Sequence, residues 1–383
     1  MNNLRVLVFS ASFGAGHVRA AEAIIEEIHR QRPTAEITHL DWGILLNRRF
    51  NTIIRSTYLG MIKHTPRLWG KFYYDTAKIS PDSKLQSLLN NMGRSDFLKY
   101  VQSIQPDLII CTYPTVAGVL AQLRLRKILN VPLVTVITDY TVHSQWIHKG
   151  VDLYIAGYQD IFNRLVSRGF DPRCIKVTGI PVNPKFESKL DQGEIRARLG
   201  LVPDLPTILI MAGAYGVLSD FKKLCREIVN LPIPSQSIIV CGRNRKEYHA
   251  LNDIVNNSAN PMLRFGYVNN VEELMSAADI IITKAGGLIT SEALTKQLPL
   301  VIFKPIPGQE EENTKFLCRT GAGKSANNLK DLIYTVNNLL AHPEELAKMR
   351  QAASLAIPGR ASEQAVTYML ELVNKNKEAV KLG

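Results

Sequence analysis

Paired cysteines are missing from this chain. The five present, Cys111, Cys174, Cys225, Cys241 and Cys318, are scattered and form no CxxC pair. Neither a zinc site nor a disulfide framework is expected, and a reducing cytoplasm is the natural compartment. Long apolar runs are missing too: nothing approaches the roughly 20 residues a spanning helix needs. The first residues lack the form of a secretory signal, because Arg5 sits among the first apolar residues and Phe9-Ser10-Ala11-Ser12 runs into a glycine turn. The expectation is a soluble or peripheral protein. There are no short-period repeats or low-complexity segments, which sets solenoids and fibres aside. Acidic residues are in deficit, 34 Asp and Glu against 46 Lys and Arg, for a net charge of +12. The deficit is concentrated in residues 1–180, where 22 basic residues face 13 acidic ones. Such a half suggests an anionic partner: nucleic acid, phosphates or anionic lipid.

What is present is an alternation of short apolar runs and longer amphipathic stretches. Its 383 residues suffice for two domains. Leu4–Ser10 reads as a buried strand, Val18–Gln31 as a helix with Ala20, Ala23, Ile24 and Ile28 on one face, and Glu36–Leu40 as a second strand. Asp107–Cys111, Leu133–Ile137 and Leu153–Ala156 follow as strands. The order then restarts with a strand Thr207–Met211, a turn Gly213–Gly216, a helix Ser219–Asn230, and strands Ser237–Cys241, Ile280–Thr283 and Leu300–Phe303. This is an α/β pattern with largely parallel sheets. The expected division is 1–180, 181–357 and 358–383. The stretch Gly179-Ile180-Pro181-Val182-Asn183-Pro184 is the hinge, and a last helix Ala361–Asn374 follows the break at Ile357-Pro358-Gly359.

Three places could carry chemistry. The loop Ser12-Phe13-Gly14-Ala15-Gly16-His17 joins a strand to a helix, where glycines admit a ligand to the backbone and the helix end favours negative charge. Gly14 and Gly16 begin a dinucleotide fingerprint, but Arg19 occupies the third glycine position. A tight turn common to α/β domains explains the loop equally well. His17, at the start of that helix, suits a general base if the helix end keeps its imidazole neutral; a polar filler of the first turn is the alternative. The richest stretch is Thr283–Asn313. Gly286 and Gly287 follow a strand, with Thr290 and Ser291 in the first helical turn, which makes an anion cradle. Glu292, one turn inside, could accept both hydroxyl hydrogens of a ribose. Gln309 and Glu310 follow the Pro307-Gly308 turn and could grip sugar hydroxyls, although acidic runs such as Glu310–Glu312 also serve simply to complement a helix N-terminus.

The runs Gly286-Gly287-Leu288-Ile289-Thr290-Ser291-Glu292-Ala293-Leu294 and Pro307-Gly308-Gln309-Glu310-Glu311-Glu312-Asn313 resemble the donor-site motifs of a GT-B family. It comprises the bacterial processive diacylglycerol glucosyltransferases and the plant monogalactosyldiacylglycerol synthases. The Ser12–His17 loop, Val136-Ile137-Thr138-Asp139, His143, Trp146-Ile147-His148 and Lys176–Pro181 resemble it as well, so the similarity covers nearly the whole chain. More distantly, the chain is similar to the transferase that adds N-acetylglucosamine to lipid I. The resemblance implies two Rossmann-like domains facing a cleft, with a C-terminal helix crossing back to the first. It also implies an inverting hexosyltransferase that uses a UDP-sugar and needs no metal or other cofactor. Matched by motif, Glu292 would bind the ribose, and Gln309 and Glu310 the donor sugar. The turns Gly286-Gly287 and Gly213–Gly216, with Gly14 and Gly16, Tyr215, Leu288, Ile289, Thr290 and Asn313, would complete the donor site. His17 or Asp139 would be the base. Tyr140 departs from the apolar residue often found in relatives, which weakens the acceptor side.

Trp42–Tyr74 holds Arg48, Arg49, Arg55, Lys63, Arg67 and Lys71 and no acidic residue, interleaved with aromatic and aliphatic side chains including Trp69. Basic and aromatic residues together suit a bilayer interface rich in anionic lipid. The alternative is a helix packed on its own domain; RNA could use the same residues, but no nucleic-acid motif accompanies them. The combined expectation is transfer of a hexose, most simply glucose, to diacylglycerol by a cytoplasmic enzyme peripheral on the inner face of the cell membrane. The competing expectations are N-acetylglucosamine transfer to a polyprenyl-linked acceptor and epimerisation of a UDP-sugar. Oligomeric state is left open.

Overall fold

The computed structural model describes residues 3–12, 15–42, 60–61, 65–78, 94–213, 218 and 220–382. The chain divides into two compact units. One contains Met1–Pro184, Pro307–Gln309 and Pro358–Gly383; the other contains Lys185–Ile306 and Glu310–Ile357.

The first unit holds a six-stranded sheet of β1 (Arg5–Ser10), β2 (Glu36–Asp41), β3 (Leu108–Cys111), β4 (Leu133–Val136), β5 (Leu153–Ala156) and β6 (Ile175–Val177), in the order β2-β1-β3-β4-β5-β6. All of its pairings are parallel. Parallel strands are covered on both faces, and so β3, β4 and β5 are apolar at nearly every position. Side chains alternate between two cores. Val6, Val8, Leu108 and Ile110 pack on one face; Leu7, Phe9, Ile109 and Cys111 pack on the other. The first face is covered by Ala21, Ile24 and Ile28 of helix α1 (Ala15–Gln31) and by Ala365, Val366, Met369 and Val373 of the C-terminal helix Ala361–Leu382. That last helix is fixed polarly as well: Ser362 donates to the Val182 carbonyl at 2.5 Å, and Lys377 lies 3.0 Å from Asp107. Residues of α3 (Arg94–Ile104), α4 (Pro114–Leu125) and α5 (Gln159–Val166) fill the opposite face. Helix α2 (Pro66–Ala77) contacts the short 3-10 turn Ser144–Trp146.

The second unit holds β7 (Thr207–Met211), β8 (Gln236–Val240), β9 (Met262–Phe265), β10 (Ile280–Thr283), β11 (Leu300–Phe303) and β12 (Gly323–Ala326), in the order β12-β11-β10-β7-β8-β9. Counted from β7, this is the doubly wound order of nucleotide-binding sheets, 3-2-1-4-5-6 read from the far edge. Asp279 ties the start of β10 to its surroundings: it accepts from the Thr207 N–H and from the guanidinium groups of Arg196 and Arg350 at 2.7–2.8 Å.

The α/β reading with two parallel sheets therefore holds. Helix α1 begins at Ala15, three residues before the expected Val18, and the C-terminal helix runs to Leu382 rather than Asn374. Three strands that the apolar pattern did not show, β6, β9 and β12, are sheet edges. An edge strand is paired on one side only, and half-solvated chain such as Gly323-Lys324-Ser325-Ala326 needs no apolar run to join a sheet.

Candidate functional site

Open parallel sheets bind ligands beyond the carboxyl ends of their strands, where the strand order reverses. In the first sheet the reversal lies between β1 and β3, and in the second between β7 and β10.

At the first reversal His17, third residue of α1, meets the residues that follow β3. Its Nδ1 lies 2.8 Å from the Thr112 carbonyl oxygen and 2.9 Å from Thr138 Oγ1. A carbonyl oxygen can only accept, so Nδ1 carries the hydrogen and Nε2 keeps the lone pair. Thr112 Oγ1 in turn donates to the His17 carbonyl at 2.8 Å, which fixes the helix start against the end of β3. Tyr113 stands edge-on to the imidazole at 5.2 Å and Trp146 lies 6.1 Å away. Burial lowers the His17 pKa to about 4, and the Thr112 hydrogen bond only partly offsets it.

Asp139 follows β4. One carboxylate oxygen accepts the Trp146 indole N–H at 3.1 Å, and the other accepts from the Gln309 amide, which belongs to the same compact unit. Burial pushes Asp139 up to about 6, against the opposing effect of these two donors. Ser12, at the mouth of the glycine loop, donates to Asp41 at the end of β2. Gly16 lies in the first turn of α1, whereas Gly14 is outside the described residues.

At the second reversal, Thr283 Oγ1 donates to the Met211 carbonyl at 3.2 Å and ties the carboxyl ends of β10 and β7 together. The chain passes from β10 through Lys284 and Ala285 into the helix Gly287–Thr295, with Gly286 as its N-cap. Asn313 donates to the Ala285 carbonyl at 2.9 Å and holds that entry in place. Ser291 donates back to the Gly287 carbonyl at 2.8 Å. Leu288, Thr290 and Glu292 are buried and Ile289 partly so; the Thr290 hydroxyl makes no hydrogen bond among the described residues. Gly213, at φ +77°, follows β7; Tyr215 and Gly216 lie outside the described residues. The sheet order thus brings Gly213, Gly286, Gly287, Leu288, Ile289, Thr290, Glu292 and Asn313 around one strand-end pair. Glu310 accepts the Ile306 N–H at 3.0 Å and so closes its own Pro-Gly turn. Burial raises its pKa, and the neighbouring ammonium of Lys284 works against that rise. Lys284 is held below its ordinary value by burial, with Glu310 opposing.

Several of these residues escaped the sequence reading. Thr112 and Tyr113 carry no motif; only the pairing of β1 with β3 places them beside His17. Thr138, Trp146 and Lys284 stand inside recognised runs, but no role attached to them.

Of the basic and aromatic stretch, Arg48, Arg49 and Arg55 lie outside the described residues. Trp69 is in α2, partly buried, with its ring 5.8 Å from Phe72. Helix α2 packs on its own unit through Thr76, whose hydroxyl and carbonyl meet His143 and Ser144 at 3.2 and 2.9 Å. Its Leu68 and Phe72 are 58% and 50% exposed beside Arg67 and Lys71. No helix among the described residues is long and apolar enough to cross a membrane.

Known proteins resemble this chain over its whole length. The family described as monogalactosyldiacylglycerol (MGDG) synthase matches residues 17–182, and the glycosyltransferase family 28 C-terminal domain matches residues 208–365. A processive diacylglycerol beta-glucosyltransferase of Bacillus licheniformis is 31% identical over 382 residues, 99% of this chain and 98% of that protein. One from Bacillus subtilis is 32% identical over 352 residues, 91% and 90% of the two chains. In three dimensions, MurG of Acinetobacter baumannii superposes with a TM-score of 0.61 at 14% identity, covering 97% of this chain and 100% of that one.

Proposed function

Because this chain belongs to the glycosyltransferase family of the processive diacylglycerol glucosyltransferases and the MGDG synthases, we propose that it moves a hexose, glucose first, from a UDP-sugar to diacylglycerol. The observation that carries the mechanism is the neutral imidazole of His17 at the reversal point of the first sheet, with its Nδ1 hydrogen directed to Thr112 and its Nε2 lone pair available. In this reading Nε2 takes the proton of the acceptor hydroxyl as that oxygen attacks the anomeric carbon from the face opposite UDP. An α-linked donor then gives a β-glycoside. Asp139 has both oxygens engaged and acts as a positioning residue through Trp146. Glu292 holds the ribose. The backbone N–H groups at Gly286 and Gly287 stabilise the departing diphosphate, because the helix end presents fixed positive charge where negative charge develops. Gln309 and Glu310 face the donor sugar. The reaction runs without a bound metal, so turnover in EDTA is expected to match turnover in untreated buffer. The enzyme works on the cytoplasmic face of the membrane, docked through the basic and aromatic stretch around α2.

The test is incubation with UDP-glucose, UDP-galactose and UDP-N-acetylglucosamine, each with diacylglycerol or a polyprenyl-linked acceptor or neither, followed by mass spectrometry. Hexosyl-diacylglycerol and UDP are expected from UDP-glucose only when diacylglycerol is present. Conversion of the UDP-sugar with no acceptor, or transfer only to the polyprenyl lipid, would replace this reading.

The pH profile separates the two candidate bases. A base must be unprotonated, so activity is lost as pH falls through its pKa. With His17 as the base, kcat/KM stays level from pH 8 to about 5 and falls only toward pH 4. A fall centred near pH 6 would transfer the role to Asp139.

A further inference from the structure

Gly70 and Gly308 mark one close approach. Gly70 is buried in α2, and a Cβ there would meet the Cβ of Pro307 at 2.5 Å. In return, a Cβ on Gly308 would meet Tyr73 Cγ at 2.9 Å, and Gly308 already holds φ +99°, which residues with side chains rarely adopt. The helix and the Pro307-Gly308 turn therefore fit together with no room for a methyl group on either side. Alanine is the better residue for a helix interior, so Gly70 serves this contact and not the helix. All four residues belong to the first unit.

The same helix is tied to the 3-10 turn Ser144–Trp146. His143 Nδ1 accepts the Gln145 N–H at 3.2 Å, so Nε2 carries the hydrogen and faces the Tyr73 carbonyl at 3.1 Å and Thr76 Oγ1 at 3.2 Å. Thr76 Oγ1 gives its own hydrogen to the Phe72 carbonyl at 2.7 Å. The imidazole lies 4.7 Å from the Tyr73 ring, and Ser144 donates to the Thr76 carbonyl at 2.9 Å. From this turn Trp146 reaches one oxygen of Asp139, and from the Pro307-Gly308 turn Gln309 reaches the other. The contacts thus close into a ring that runs from α2 through Pro307-Gly308, Gln309, Asp139 and Trp146 back to α2. An amide has two N–H groups and one oxygen. With one N–H of Gln309 given to Asp139, the second N–H and the oxygen suit a hydroxyl, which accepts from the one and donates to the other.

We propose that α2 aims Gln309 at the donor sugar, with Gly70 and Tyr73 as positioning residues that act through Pro307-Gly308. A displaced turn would carry the Gln309 amide off its line to Asp139, and hydrogen bonds weaken steeply with misalignment. The inference rests on the reading of Gln309 as a sugar ligand, and adds the residues that hold it in place. UDP lacks the hexose, so its own binding is independent of this ring.

Calorimetric titration of the full chain with UDP-glucose and with UDP tests it. Gly70→Ala is expected to weaken UDP-glucose binding about 3- to 10-fold, the range for one neutral hydrogen bond, and to leave UDP affinity unchanged. The same substitution is expected to cost little once Pro307→Gly has removed the carbon it meets. In a Gln309→Ala chain it is expected to add nothing, because the group it positions is gone. Tyr73→Ala, which takes the ring away from Gly308, is expected to repeat the loss confined to UDP-glucose and serves if Gly70→Ala does not fold. Equal losses for UDP and UDP-glucose, or a loss that persists in full in the Gln309→Ala chain, would make α2 a general packing element and overturn the proposal. So would parent-like UDP-glucose affinity in both folded variants, with the transferase reading left standing. A parent chain that binds neither nucleotide would overturn the transferase reading and this inference together.

Discussion

Replacing His17 with alanine is expected to lower kcat by on the order of 10²–10⁴ while leaving UDP affinity within a few-fold, the range for loss of a positioned general base. The separation follows from where the side chain sits. Its ring is held by Thr112 and Thr138 and walled by Tyr113 and Trp146, all in the first unit. The residues proposed to hold nucleotide and diphosphate belong to the second. Burial keeps the imidazole unprotonated down to about pH 4, so at pH 7 nearly every molecule is ready to accept a proton. Single-turnover rates with calorimetric UDP titration check this. A kcat within a few-fold of the parent would move the role to Asp139. His17→Gln keeps a hydrogen-bonding side chain of similar reach but no basic nitrogen, and it is expected to be as slow as the alanine variant.

Glu292→Ala is expected to weaken UDP binding by roughly 1–3 kcal/mol, or about 5- to 150-fold, the scale of a hydrogen bond to a charged acceptor. Glu292 is only 8% exposed, in the second turn of the helix that starts at Gly287. A carboxylate so placed has already lost most of its water, so a ribose hydroxyl that donates to it competes with little solvent. Donor KM is expected to rise in step while the acceptor KM stays level. Glu292→Gln, which retains an acceptor oxygen without the charge, is expected to fall between the two. Unchanged UDP affinity in a folded Glu292→Ala protein would remove this residue from the site.

The amino-acid sequence by itself determined the α/β class, the restart of the pattern near Thr207, and the family. These depend on local information. A strand buried on both faces must be apolar along its length, as Leu108–Cys111 and Ile280–Thr283 are, and a glycine-rich entry to a helix declares itself by composition. The edge strand β12 escaped because half its backbone faces away from the sheet and its side chains need not be apolar. Only the tertiary structure decided which residues surround His17. Thr112 is 95 positions away and Thr138 is 121 away, and nothing in either neighbourhood marks them. They meet because β1 pairs with β3, and β3 with β4, at the place where the sheet reverses. It also added a source of His17's neutrality that the sequence did not show: desolvation, with aromatic neighbours drawn from distant segments. Spacing along a chain fixes which side chains can share a helix face or a strand face, but the surroundings of a buried ring depend on how strands from distant segments pair, and that is settled only when the sheet assembles.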